Sequence, residues 1–418
     1  MAIRRARLWT LATLNLALFF CGTLSAADWT QWRGPSRDGQ IPDFTAPTAW
    51  PKQLTLLWKV EVGEGYSSPL VVGNRVLLLS REGGDEVARA LSLADGKPLW
   101  SRRYPAPFAP NSYAAPHGKG PFATSLVASD RFVTLGINSM FSCWDTASGE
   151  LRWQHDFSKQ FKDDPSFLYY GMAASPLLCG RQVVAFVGTP GDGALLAVDL
   201  DTGHIQWKWT DQGPGSSSPI LATLDGATQL VGQAREECFA VSPHDGKLLW
   251  SVPFKTDYYQ NIVTPVVLGD LVVFSGLRKG TTAYRLRHAG GTWTPEEVWH
   301  NPDIFSYMSS PVVVDGNLYG LTSRNKGEFF CLDGSSGKTL WTSDGRTAHN
   351  AAVLAAGKTL LALTNDCDLL VLRATPQRFQ PLARYQVADT PTWAHPAVVG
   401  NKILVKDRTS LRLWTFGH

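Results

Sequence analysis

The chain has no cysteine framework. Its 418 residues contain six cysteines, none adjacent and none in a Cys-x-x-Cys spacing. Attached haem and cysteine-rich zinc sites therefore have no support. The GxSxG elbow, the HExxH helix and the phosphate-binding P-loop are also missing, and with them the usual signatures of serine hydrolases, zinc proteases and P-loop enzymes. Gly188–Gly193 is glycine-rich but joins two apolar runs and opens no helix, so it is a hairpin loop. There is little net charge. Arg4, Arg5 and Arg7 precede the single long apolar run, Leu8 to Leu24, and Ser25-Ala26-Ala27 supplies small residues for cleavage. This is the pattern of an export signal over residues 1–27. Cys21 follows Phe20, not the small residue a lipidation signal needs. Removing the three leader arginines takes the net charge from +3 to 0, so no electrostatic attraction to nucleic acid or anionic membrane is expected. The mature chain is expected to be exported, periplasmic or extracellular, with no transmembrane span and as a monomer.

What is abundant is tryptophan, sixteen residues in all, and five of these end a repeated phrase. Cys143-Trp144-Asp145 runs through Gly149 to Trp153. The phrase returns from Asp199 through Gly203 to Trp207 and from Asp333 through Gly337 to Trp341, with looser copies ending at Trp100 and Trp250. The Asp supplies an acceptor at the start of a turn, and the Gly takes a positive φ at its end. Cys143 and Cys331 fill a slot held elsewhere by Ala90, Ala197 and Ala240, so they serve as small buried hydrophobes.

A second signal counts the units. Each opens on a small-residue pair before an apolar strand: Ser68-Pro69, Thr124-Ser125, Ser175-Pro176, Ser218-Pro219, Thr264-Pro265, Ser310-Pro311, Asn350-Ala351 and His395-Pro396. Short strands separated by Asp, Asn and Gly turns at this period predict four-stranded antiparallel blades. The last unit stops after three strands, while an orphan strand, Leu56 to Val60, precedes the first. Their pairing closes the ring and removes an exposed edge. The expectation is an all-β, eight-bladed propeller over residues 56–418, preceded by a leader segment over 28–55. Trp58, Trp100, Trp153, Trp207, Trp250, Trp299 and Trp341 are its structural blade tryptophans.

These tails and the blade count resemble the pyrroloquinoline quinone (PQQ) repeat family. It includes the quinoprotein alcohol dehydrogenases and the propeller component of the outer-membrane β-barrel assembly machinery. The leader Trp29-Thr30-Gln31-Trp32-Arg33-Gly34-Pro35-Ser36-Arg37-Asp38-Gly39 resembles that of secreted PQQ-like propellers. The resemblance specifies fold far better than activity.

In such a ring, the loops leading into the innermost strands share a face with the loops between second and third strands. Ligand-face candidates are Tyr66, Arg81, Tyr170, Arg235, Asn261, Tyr307, Arg324, His349, Trp393, His395 and Arg408, an aromatic and amide funnel with a basic rim. It suits a flat anionic ligand or a partner's acidic loop. The bland alternative is that the aromatics pack between blades and the arginines stay solvated. The resemblance implies, for a dehydrogenase, a vicinal disulfide, a calcium set and a catalytic Asp. Here no Cys-Cys pair exists and the acidic residues are scattered, so no metal site or catalytic residue is assigned. The leading expectation is a non-catalytic binding or scaffolding module in the cell envelope, partnered by an envelope protein or a small anionic ligand. The alternative is a PQQ-dependent oxidoreductase, using PQQ with calcium at a divergent site.

Overall fold

A computed structural model describes residues 28–417, apart from 111, 113, 162–170, 189–192 and 212. The described residues form eight four-stranded antiparallel sheets, seven of them running in sequence order from the innermost strand outward. Blade 1 comprises Leu70–Val72, Arg75–Glu82, Asp85–Ser92 and Pro98–Pro105. The innermost strands of blades 2 to 8 are Leu126–Ala128, Leu177–Cys179, Ile220–Leu224, Val266–Leu268, Val312–Val314, Ala351–Ala356 and Ala397–Val399. Blade 8 takes its outermost strand from the N-terminal side. Thr55–Glu61 pairs antiparallel with Ser410–Thr415, Trp58 opposite Leu413, with a bulge between Leu56 and Trp58. The ring therefore closes as expected, and no sheet edge is left unpaired at the junction. The outer strand of blade 1 runs on to Pro105 before the long loop to blade 2 begins.

The repeated phrase is a bolt between blades. Asp145 accepts hydrogen bonds from the backbone of Ala147 (3.0 Å) and Ser148 (2.9 Å), which shapes the turn. Asp199 and Asp333 do the same in their own units. At the end of the second such turn, Gly203 has φ +71°, and the indole of Trp153 from the preceding blade lies on its bare Cα. Trp153 Nε1 then donates to Leu200 O in that turn at 2.9 Å. The same donation to the next blade's turn is made by Trp58, Trp100, Trp207, Trp299 and Trp341. Trp250 departs from the rule and bonds Gln229 in its own blade. Blade 7, which carries Tyr385 instead of Trp, bonds the leader at Pro51 O. Aromatic burial and a satisfied indole N–H thus set the blade-to-blade register.

The small-residue pairs have a matching role nearer the axis. The backbone N–H of Ser68 donates to Thr124 Oγ1, Thr124 N to Ser175 Oγ, and Ser175 N to Ser218 Oγ. Thr264 N donates to Ser310 Oγ, and His395 N donates to Ser68 Oγ across the ring closure. The hydroxyls stitch innermost strands that share no ladder hydrogen bonds.

The leader is part of the ring. By the topology, loops into the innermost strands lie on an upper face, and the turns after them on a lower face. Asp28 accepts from Gly73 N in a lower turn, and Trp29 pairs with Val71. The chain then climbs the axis, where Trp32 Nε1 reaches Thr264 Oγ1 (2.9 Å) at the upper end of blade 5. Arg33 reaches Pro311 O, and Arg37 reaches Ser175 O and Pro176 O. It descends through Gln40, which bonds Val313 O, and Ile41, which bonds Ala355 O. Phe44 and Trp50 finally pack on Phe416 below. The leader is a finger filling the axis from the lower face, with its tip under the upper mouth.

Candidate functional site

The finger gives the upper funnel a floor. Trp32 is half-buried, fixed by Thr264, and its ring centroid lies 4.1 Å from that of His395. His395 is buried beneath it, and burial together with the charge of Arg33 lowers its pKa to about 3. It is a neutral structural imidazole, and not a residue of an open channel mouth.

Several other candidates turn inward as well. Arg81 is buried, donates to Ala106 O (2.9 Å) and Gly120 O (3.3 Å), and faces Glu86 at 3.7 Å. Glu86 in turn accepts from Tyr104 (2.7 Å) and Ile137 N (2.9 Å), so Arg81 belongs to a buried seam between blades 1 and 2 and leaves the basic rim. Asn261 is buried and braces Ala234 O and Phe254 O. Tyr66 is buried with its ring stacked near Phe122, and burial raises its pKa. Lys406 is buried, its ammonium held by the carbonyls of Gly63, Asp407 and Arg408. Tyr170 lies outside the described residues.

Of the remaining candidates, Tyr307 and His349 come together over blades 5 to 7. A cleft of about 430 Å³ is lined by Asp257, Gln260, Leu277, Arg278, Tyr307, Ser323, Lys326 and His349. Arg278 is largely exposed and pairs with Asp257 at 3.2 Å, whereas Lys326 and His349 face solvent. Arg324 sits exposed on the same turn as Lys326. Beside the cleft, the half-buried Trp393 is met edge-on by His349 (6.1 Å) and His117 (4.9 Å). Burial, then the charge of His349, lowers the His117 pKa. On the other flank, Arg235 lies 3.8 Å over the Tyr259 ring and Lys255 lies 4.7 Å over it. Arg408 stands apart on blade 8, exposed, with Glu64 at 3.7 Å. The result is an off-axis basic and aromatic cleft rather than a ring around the mouth.

Among the described residues lining the cleft, the one carboxylate, Asp257, is paired with Arg278. Among the described residues, no three His, Cys, Asp or Glu side chains converge to hold a metal ion. The five cysteines among the described residues are free, and no two cysteines of the chain are adjacent in sequence. The described residues do not fit the calcium and disulfide arrangement that a PQQ site implies.

The family profile described as outer membrane protein assembly factor BamB matches residues 110–343, more than half of the chain. The chain belongs to this PQQ-repeat family. A BamB from Burkholderia pseudomallei (strain K96243) is 24% identical over 325 residues, covering 74% of each chain. The crystal structure of BamB from Moraxella catarrhalis superposes with a TM-score of 0.61 at 14% identity, over 87% of this chain and 99% of that one. Quinohemoprotein alcohol dehydrogenase from Comamonas testosteroni gives 0.63 at 12% identity, over 93% and 80%. At such identities the structural likeness speaks for the fold alone. Within the family, nothing in the sequence pointed to Asp257 as part of the cleft or to His117 beside it. The finger was legible in part: two Trp, two Arg and two Gly within Trp29–Gly39 are too many for a simple linker.

Proposed function

We propose that the protein is an exported, non-catalytic binding scaffold of the cell envelope. Its upper face receives a carboxylate-bearing segment of a protein partner in the cleft over blades 5 to 7. The observation that carries this reading is the cleft itself: Arg278, Lys326 and His349 against a single carboxylate, flanked by aromatic faces, on an otherwise near-neutral protein. Membership of the BamB family supports a protein partner, and the leader pattern of residues 1–27 supports export. No helix among the described residues is long and apolar enough to cross a membrane.

A photo-crosslinking residue at Tyr307, with Leu151 on the outer rim as the control position, tests the reading in the native host. A discrete envelope-protein adduct at 307, absent at 151 and lost in Arg278→Glu/Lys326→Glu, is expected. The reading fails if no adduct forms at 307, or if the same adducts form at both positions. A low-molecular-weight anion retained by the purified protein and lost with the same two substitutions would assign the cleft to a small ligand instead.

A further inference from the structure

The finger carries an unexplained feature of its own. Arg33 and Arg37, at 1% and 3% exposure, are among the most buried charges in the molecule, and both lie inside the ring. Burial pulls their pKa values down to about 10 and 9, helped for Arg37 by the like charge of Arg33, so both stay cationic at neutral pH. Neither has a carboxylate within ion-pair distance among the described residues. The nearest influence is the exposed Asp38, which acts on Arg33 only beyond 4.0 Å.

Their partners are neutral oxygens. Arg33 Nη2 donates to Pro311 O and Asp38 O. Arg37 donates to Pro176 O, Ser175 O and Gln31 Oε1. Arg33 Nε and Nη1, Arg37 Nε and the neighbouring His395 Nδ1 meet no hydrogen-bond partner among the described residues. Two buried like charges with orphaned donors are costly unless something negative compensates them. The backbone also works to place them there. Arg33 and Arg37 take φ of +61° and +60°, a region that non-glycine residues rarely adopt.

We propose that a small inorganic anion, halide or oxyanion, binds on the ring axis between Arg33 and Arg37 at the tip of the leader finger. The anion neutralises the guanidinium pair, accepts the free N–H groups, and ties the leader to blades 3 and 6. Anion binding is therefore linked to folding of the ring. The site is separate from the cleft over blades 5 to 7, and its occupancy does not depend on the partner.

The test is thermal unfolding of the mature protein at fixed pH and ionic strength, with a bulky organic sulfonate replaced stepwise by chloride, bromide or phosphate. Expected is a saturable onset, then a rise of about 2 °C for each tenfold increase in anion above its Kd. The halide and phosphate arms show which class the site takes. Arg33→Gln and Arg37→Gln should each abolish the anion-specific rise. If these variants do not fold, wild-type crystals soaked in bromide keep the test open, with an anomalous peak expected beside both guanidiniums. Melting that is identical in all anions, together with no such peak, would overturn the proposal.

Discussion

Replacing Gly203 with Ala tests the inter-blade bolt at a single atom. Gly203 sits at φ +71°, which costs an alanine about 1–2 kcal/mol by itself. An added Cβ would also lie 2.7 Å from Cγ and 2.8 Å from Cδ2 of Trp153. That indole cannot retreat, because its Nε1 is bonded to Leu200 O and its ring packs edge-on against Phe141 at 5.2 Å. Overpacking of this kind adds about 1–3 kcal/mol, for a total of about 2–5 kcal/mol. Gly180 is the control: it has φ +60°, and a Cβ added there would meet nothing within 4 Å, so Gly180→Ala should cost only the backbone part. Urea unfolding of both variants isolates the clash as their difference. In a Trp153→Ala background, itself destabilised by about 3–5 kcal/mol, Gly203→Ala should lose its steric part and become equal to Gly180→Ala. Equal costs at both glycines in the wild-type background, or full additivity with Trp153→Ala, would refute the bolt.

Glu86→Gln should lower stability by about 3–5 kcal/mol, because it strands the buried Arg81 without a counter-charge. An unchanged urea midpoint would contradict the seam. Burial lowers the Lys406 pKa to about 7, so between pH 7 and 10.5 the unfolded state binds more protons than the folded state. Stability contributed at Lys406 therefore rises with pH in that window, by up to about 1.4 kcal/mol per pH unit, and the slope should vanish in Lys406→Met. A slope shared by wild type and variant would assign it elsewhere. In the cleft, Arg278→Glu/Lys326→Glu should reduce the Tyr307 adduct at least about tenfold, while exposed substitutions of this kind shift stability by only about 0.5 kcal/mol. Loss of the fold together with the adduct would remove the support for binding.

The architecture was legible because it repeats. Eight small-residue pairs, the Asp-to-Gly-to-Trp tails and the orphan strand at Leu56–Val60 each carry a local physical signature, and together they fix the blade count and the closure. The partners of those signatures were not legible. Nothing local says that Trp153 docks on Gly203 of the next blade, or that Ser68 accepts from His395 across the closure. Site residues were harder for a related reason. Loop membership places a residue on a face but leaves its side chain free to turn inward, as Arg81, Asn261 and His395 do. Tyr307, His349 and Arg324 do reach the cleft region, because their loops belong to adjoining blades. The finger was least expected. Trp32, Arg33 and Arg37 meet blades distant in sequence, and only the closed ring brings those blades to one axis.

The most direct test of a binding scaffold against a quinone enzyme is calorimetric titration of the mature protein, Asp28 to His418, with PQQ, with and without calcium. No binding heat is predicted in either condition, since the described residues offer no convergent metal ligands and the sequence has no vicinal cysteine pair. Tight one-to-one binding, strengthened by calcium, would contradict the scaffold reading and make the protein a quinoprotein with a site of its own design.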